Sequence, residues 1–190
     1  KGPDWLPRPV GTLEEVRAQA PDAGTRLVIG MDERALAPVL LNVDADPHLL
    51  VYGDGRSGKS ALLRAYLLEV MRTRTPRQAQ IFLVDYRRAH LGLVPEEYLA
   101  SYSSNAGQAG EHIEQITSYL STRVPGPEVT PQQLRDRSWW TGAEAFVVVD
   151  DYELVATPTG NPLAPLQPLL AQARDVGLHV VVARRATGSS

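Results

Sequence analysis

Residues 53–60 read Gly53-Asp54-Gly55-Arg56-Ser57-Gly58-Lys59-Ser60, a complete G-x-x-x-x-G-K-S between the apolar run His48-Leu49-Leu50-Val51-Tyr52 and a helical pattern. Each residue type has a use in gripping nucleotide phosphates. Glycines let backbone N–H groups turn inward around an anion, the lysine reaches the β- and γ-phosphate oxygens, and the Ser60 hydroxyl can ligate Mg²⁺. A helix starting at the loop turns the positive end of its dipole toward the same anion. All eight residues, Gly53 to Ser60, are therefore expected to bind nucleotide.

A second chemical feature stands about ninety residues further on. Ala145-Phe146-Val147-Val148-Val149 is continuous and β-branched, as a strand buried on both faces should be, and it ends in Asp150-Asp151. A carboxylate at such a strand end holds Mg²⁺ through water in P-loop enzymes, so Asp150 pairs with Ser60 as the expected metal site. In hydrolysing relatives with an inserted central strand, the following residue is usually a glutamate that polarises the attacking water. Here it is Asp151. The missing methylene withdraws the carboxylate by about an ångström, and a misplacement of that size can cost roughly 10²-fold in rate. The sequence thus predicts binding with little hydrolysis, Asp151 being a degenerate catalytic residue. Arg184 and Arg185 follow the last apolar strand and read equally as a solvated basic pair or as contacts for the γ-phosphate, with Arg184 the catalytic candidate. Asp85 either orients the site or caps a strand end. The four histidines show no ligand spacing and read as structural.

The elements that must carry these residues alternate. Arg26 to Gly30 and Pro38 to Val43 suggest a β-hairpin, Gln80 to Val84 and His179 to Ala183 suggest strands, and Ala61 to Thr73 suggests a buried helix. Residues 86–105 read as mostly irregular. Ser103-Ser104-Asn105 caps a helix over 106–122, Thr130-Pro131 opens a short helix, and 163–176 reads as a helix ended by Gly177. Strands alternating with helices predict an α/β fold with a mostly parallel sheet, whose ligands sit beyond the carboxyl ends of the strands. Residues 1–24, rich in proline around one short helical candidate, read as a strap from a preceding domain. Residues 25–190 read as the nucleotide domain, cut short at its carboxyl end.

Bulk properties narrow the class. The 190 residues are 43% hydrophobic, enough for one domain with a real core. No apolar stretch approaches the roughly 20 residues needed to cross a bilayer. With no cysteine, disulfides and thiolate zinc sites are excluded. Nineteen basic residues against 22 acidic give a net charge of −3, which argues against nucleic acid as a partner.

The sequence resembles the FtsK/SpoIIIE class of P-loop motors and, within it, the carboxyl-terminal ATPase domains of the EccC family from the type VII secretion systems of mycobacteria and their relatives. The resemblance rests on Gly53 to Ser60, Val84-Asp85-Tyr86-Arg87-Arg88, residues 125–142 with their Ser138-Trp139-Trp140-Thr141-Gly142 segment, Val149 to Val155, and Gly177-Leu178-His179 with Ala183-Arg184-Arg185. It implies a RecA-like P-loop NTPase fold and ATP with Mg²⁺ as ligands. It also implies a domain on the cytoplasmic face of the inner membrane, attached through the rest of its complex. Implied partners are other EccC ATPase domains, the EccB/EccD/EccE secretion core and WXG-type secreted substrates recognised by their tails. Distal ATPase domains of this family resemble regulators more than motors. A DNA-translocating FtsK-type ATPase is the alternative. Trp139-Trp140 reads as core packing under the Asp150 strand or as a docking groove.

Overall fold

A run of buried β-branched residues needs a partner on each side for its backbone and a cover on each face for its side chains, and both are found around the Asp150 strand. A computed structural model of the chain describes residues 26–32, 37–42, 48–53 and 56–185, with side chains from Lys59 to Arg184. β1 (Arg26–Asp32) and β2 (Ala37–Asn42) pair antiparallel, as their two apolar runs predict. The main sheet contains β3 (His48–Gly53), β4 (Ala79–Val84), β5 (Leu99–Ser103), β6 (Glu144–Val149) and β7 (Leu178–Arg185). Its order is β3-β7-β6-β4-β5, and every pairing is parallel. β7 therefore separates the strand that feeds the phosphate loop from the strand that ends in Asp150.

Alternation along β6 assigns the faces. Phe146 and Val148 join Leu63, Tyr66, Leu67 and Val70 of α1 (Arg56–Thr73) in one core layer. Ala145, Val147 and Val149 join Ala109, Ile113, Ile116 and Leu120 of α2 (Ala106–Ser121) in the other. Burying each such aliphatic side chain contributes about 1.5–3 kcal/mol, so α1 is pressed against the sheet with its amino end at the carboxyl edge of β3. α2 is capped by Asn105, whose side chain accepts from the Gln108 amide. α3 (Pro131–Asp136) opens on a capping box between Thr130 and Gln133 with proline in its first turn.

Two expectations are corrected. Residues 86–105 contain β5, an edge strand only partly buried, whose polar Ser101 and Ser103 hide it from a search for apolar runs. The helix expected over 163–176 is a 3₁₀ helix, Ala164–Gln172, followed by one turn of α-helix, Ala173–Val176, here α5. Pro165 and Pro168 lack the N–H groups that a regular α-helix would use there. α4 (Tyr152–Val155) is the short turn between β6 and that segment. The helical candidate within 1–24 and the tail beyond Arg185 lie outside the described residues.

Trp139 and Trp140 are half-buried and pack at the amino end of β6, away from Asp150. Their indole N–H groups donate to the carbonyls of Arg123 (2.7 Å) and Asp175 (2.6 Å). The Arg123 guanidinium lies 3.9 Å above the Trp140 ring. Gly177 ends α5 with φ +69°, and a Cβ there would meet the Trp140 ring at 2.8 Å. Both the left-handed backbone and the contact oppose a side chain, so Gly177→Ala should destabilise the domain by about 1–3 kcal/mol in urea denaturation. An unchanged midpoint would contradict the packing reading of Trp140.

Candidate functional site

Parallel register brings the acidic strand ends together. Val84 of β4 stands opposite Val149 of β6, so Asp85 and Asp150 are each one residue beyond a matched pair at the carboxyl edge of the sheet. The Asp150 amide donates to the Val84 carbonyl at 3.0 Å and the Asp85 amide to that of Ser103 at 2.8 Å. Lys59 and Ser60 reach the same edge from the first turns of α1, which carries no acidic residue in its first turn.

Lys59 is 1% exposed, and its ammonium lies among carboxylates. Its Nζ donates to Asp151 Oδ1, lies 3.1 Å from Asp150 Oδ1 and stands 3.9 Å from Glu153 Oε1. Burial works to lower the Lys59 pKa, but the hydrogen bonds and charges of Asp151 and Asp150 outweigh it and hold the pKa above the ordinary lysine value. Burial likewise works to raise the Asp150 carboxyl, and the hydrogen bond from His90 with the charge of Lys59 holds it down at about 2. Ser60 Oγ donates to Asp150 Oδ2 at 3.1 Å. Lys59, Ser60, Asp150 and Asp151 thus meet at one point.

Asp151 turns the chain out of β6 with φ 52° and ψ 52°, in the left-handed region that aspartate tolerates better than most residues. Its amide donates to Asp150 Oδ1 at 2.8 Å, and Arg87 Nε is 3.6 Å from its Oδ2. Each oxygen of this carboxylate therefore faces a cation. Lys59 and Arg87 thus stand among the carboxylates of Asp150, Asp151 and Glu153.

Asp85 does orient its surroundings. It accepts from the Ala89 amide (3.0 Å), the His90 amide (2.8 Å) and the Tyr102 hydroxyl (2.9 Å). Burial, together with the Asp85 carboxylate, pushes the Tyr102 phenol up, so it stays a donor. His90, whose spacing suggests only a structural role, brings its Nε2 to 2.8 Å from Asp150 Oδ2. Neither Arg87 nor His90 carries a spacing that announces it; the one signal available was that both follow a strand end within five residues of Asp85.

Other expected residues are placed less directly. Gly53 ends β3 and Arg56, Ser57 and Gly58 begin α1, whereas Asp54 and Gly55 lie outside the described residues. Arg184 stands at the carboxyl end of β7 opposite Tyr52, with its side chain half-buried. The oxygen donors Ser60 Oγ, partly buried, and Asp150, fully buried, stand 3.1 Å apart and suit a hard cation such as Mg²⁺.

Comparison with known proteins gives a consistent setting. A sequence profile of the FtsK/SpoIIIE family matches residues 17–120. The ESX secretion system protein EccC of Thermomonospora curvata is 47% identical over 186 residues, covering 95% of this chain and 14% of the relative. EccC4 of the ESX-4 secretion system of Mycobacterium tuberculosis is 41% identical over 185 residues, covering 97% of this chain and 15% of that protein. The chain therefore spans about a seventh of these relatives. Among solved structures, the cytoplasmic domain of the T. curvata type VII secretion ATPase EccC superposes with TM-score 0.78 at 48% identity, covering 87% of this chain and 19% of the other. A structure of ATPases 2 and 3 of the same protein with a signal sequence peptide matches with TM-score 0.78 at 47% identity, covering 88% of this chain and 31% of the other.

The ion cluster has a cost if its cation is removed. Without nucleotide, Lys59→Ala leaves two buried carboxylates facing each other and should destabilise the chain by about 3–5 kcal/mol. Asp151→Ala in the Lys59→Ala background should recover part of that loss. A double-mutant cycle in urea should return a coupling of about 0.5–3 kcal/mol, and strictly additive effects would contradict the geometry.

Proposed function

The chain belongs to the FtsK/SpoIIIE family, and on that premise we propose that it is an ATP-binding domain of an EccC-type component of a type VII (ESX) secretion system, one that hydrolyses slowly or not at all. The observation that carries this reading is the meeting of Lys59, Ser60 and Asp150 where β3 feeds α1. On this reading Lys59 would turn from the acidic pair to β- and γ-phosphate oxygens, and Ser60 and Asp150 would hold the cation. Mg²⁺, when bound, supplies neutralisation of the phosphate charge. That chemistry matters here because Lys59, in turning to the phosphates, would leave the Asp150 and Asp151 carboxylates beside them.

Slow turnover follows from Asp151. It is one methylene shorter than the glutamate usual at this position, and both its oxygens face cations. Arg184, at the end of the neighbouring strand, is a candidate contact for the γ-phosphate.

The signal sequence peptide bound by the T. curvata relative supports a role in recognising the tails of secreted WXG-type substrates, and thereby in regulating the motor. The remaining partners on this reading are other EccC ATPase domains and the EccB/EccD/EccE core at the cytoplasmic face of the inner membrane. Among the described residues no helix is long and apolar enough to cross a membrane. No observation favours DNA translocation: acidic residues exceed basic ones, 22 to 19, and the relatives described above are secretion proteins.

Titration calorimetry should give a dissociation constant in the micromolar range for Mg·ATP, with turnover below about 1 s⁻¹. Asp151→Glu should raise that turnover, by up to about 10²-fold. Absence of any Mg·ATP affinity would end the reading, whereas retained affinity with unchanged turnover in Asp151→Glu would remove only the argument about hydrolysis.

A further inference from the structure

We propose that His90 is the positioning residue that keeps the Asp150 carboxylate aimed while Lys59 and Ser60 engage nucleotide and cation. The inference rests on the nucleotide-binding reading above and assigns that site a partner outside its motifs.

Asp150 is fully buried and accepts from four donors. Lys59 Nζ (3.1 Å) and the Asp151 amide (2.8 Å) share Oδ1; Ser60 Oγ (3.1 Å) and His90 Nε2 (2.8 Å) share Oδ2. Lys59 and Ser60 are the two that depart when they turn to the triphosphate and its cation. The Asp151 amide and His90 stay, one on each oxygen, and between them fix the plane of the carboxylate. Only one of the two is a side chain that a substitution can remove.

His90 is itself held in place. It is 2% exposed, and its amide donates to Asp85, which also accepts from Tyr102. A carboxylate acceptor requires the proton on Nε2, and Nδ1 meets no hydrogen-bond partner among the described residues, so the ring's polar contact is directed at Asp150 alone. Asp85, His90 and Asp150 each offer an atom within 4.8 Å of the others, close enough to share a cation. The Asp85 oxygens are already taken by the Ala89 and His90 amides and by Tyr102, so the trio is better described as a relay from the end of β4 to the end of β6. Losing a hydrogen-bond partner of a side chain that ligates a metal directly typically costs about 10–100-fold in metal affinity, and Asp150, which would hold its cation through water, is expected at the lower end of that range.

The experiment measures ATP affinity of the whole chain by calorimetry, with Mg²⁺ and with EDTA, for wild type, His90→Ala, His90→Gln and His90→Asn. A glutamine amide can reach the Nε2 position, whereas the shorter asparagine amide cannot. Expected are a loss of about tenfold for His90→Ala and His90→Asn in Mg²⁺ only, unchanged affinity in EDTA, and recovery toward the wild-type value in His90→Gln. Equal losses in both media, no loss in Mg²⁺, or a glutamine variant as weak as the asparagine one would overturn the role of His90. If His90→Ala fails to fold, the glutamine–asparagine pair decides alone. Wild type that binds no nucleotide in either medium would instead overturn the underlying reading, and this inference with it.

Discussion

A single buried ammonium shared between two consecutive aspartates organises this domain's functional edge. Lys59 is 1% exposed, and a charge so far from water is tolerated only when opposite charges and hydrogen bonds surround it. Asp150 and Asp151 supply them, and they can do so because β6 lies two places from β3 in a parallel sheet whose register sets Asp150 at the same edge as the amino end of α1. Packing serves this placement. The apolar residues of α1 fix its distance from the sheet, and those of α2 cover the other face of β6.

On the proposed reading, the same interaction gives both the lysine and a metal a part in nucleotide binding. In the absence of ligand the ammonium is already neutralised from within, so a triphosphate must offer Lys59 more than the aspartates do. A cation held by Ser60 and Asp150 would tip that balance by offsetting the carboxylates that Lys59 leaves behind. On the proposed reading Asp151 is chiefly the residue that Lys59 and Arg87 hold in the absence of ligand, and its short side chain suits that task better than activation of water. His90 then belongs to the part of the network that does not change partners.

Much of this edge was legible in the residues. The phosphate loop carries its chemistry in its spacing, and the uninterrupted Ala145 to Val149 run could only be a strand covered on both faces. Asn105, Thr130-Pro131 and Gly177 announce helix ends because capping is a local interaction between residues near in sequence. What stayed hidden depends on contacts between distant segments. β5 is polar along much of its length because it forms an edge, and Pro168 turned an apparently regular helix into 3₁₀ geometry. The contacts of Arg87 and His90 with the aspartates span sixty residues or more and arise only from the register of β4 against β6.

The most direct test is a crystal structure grown with Mg²⁺ and a non-hydrolysable ATP analogue. Exchange of Lys59 between aspartate and phosphate predicts that its ammonium has left Asp151 for the triphosphate, with Ser60 on the cation and Asp150 still bonded to His90. Lys59 remaining between Asp150 and Asp151, with the triphosphate bound elsewhere or not at all, would contradict it.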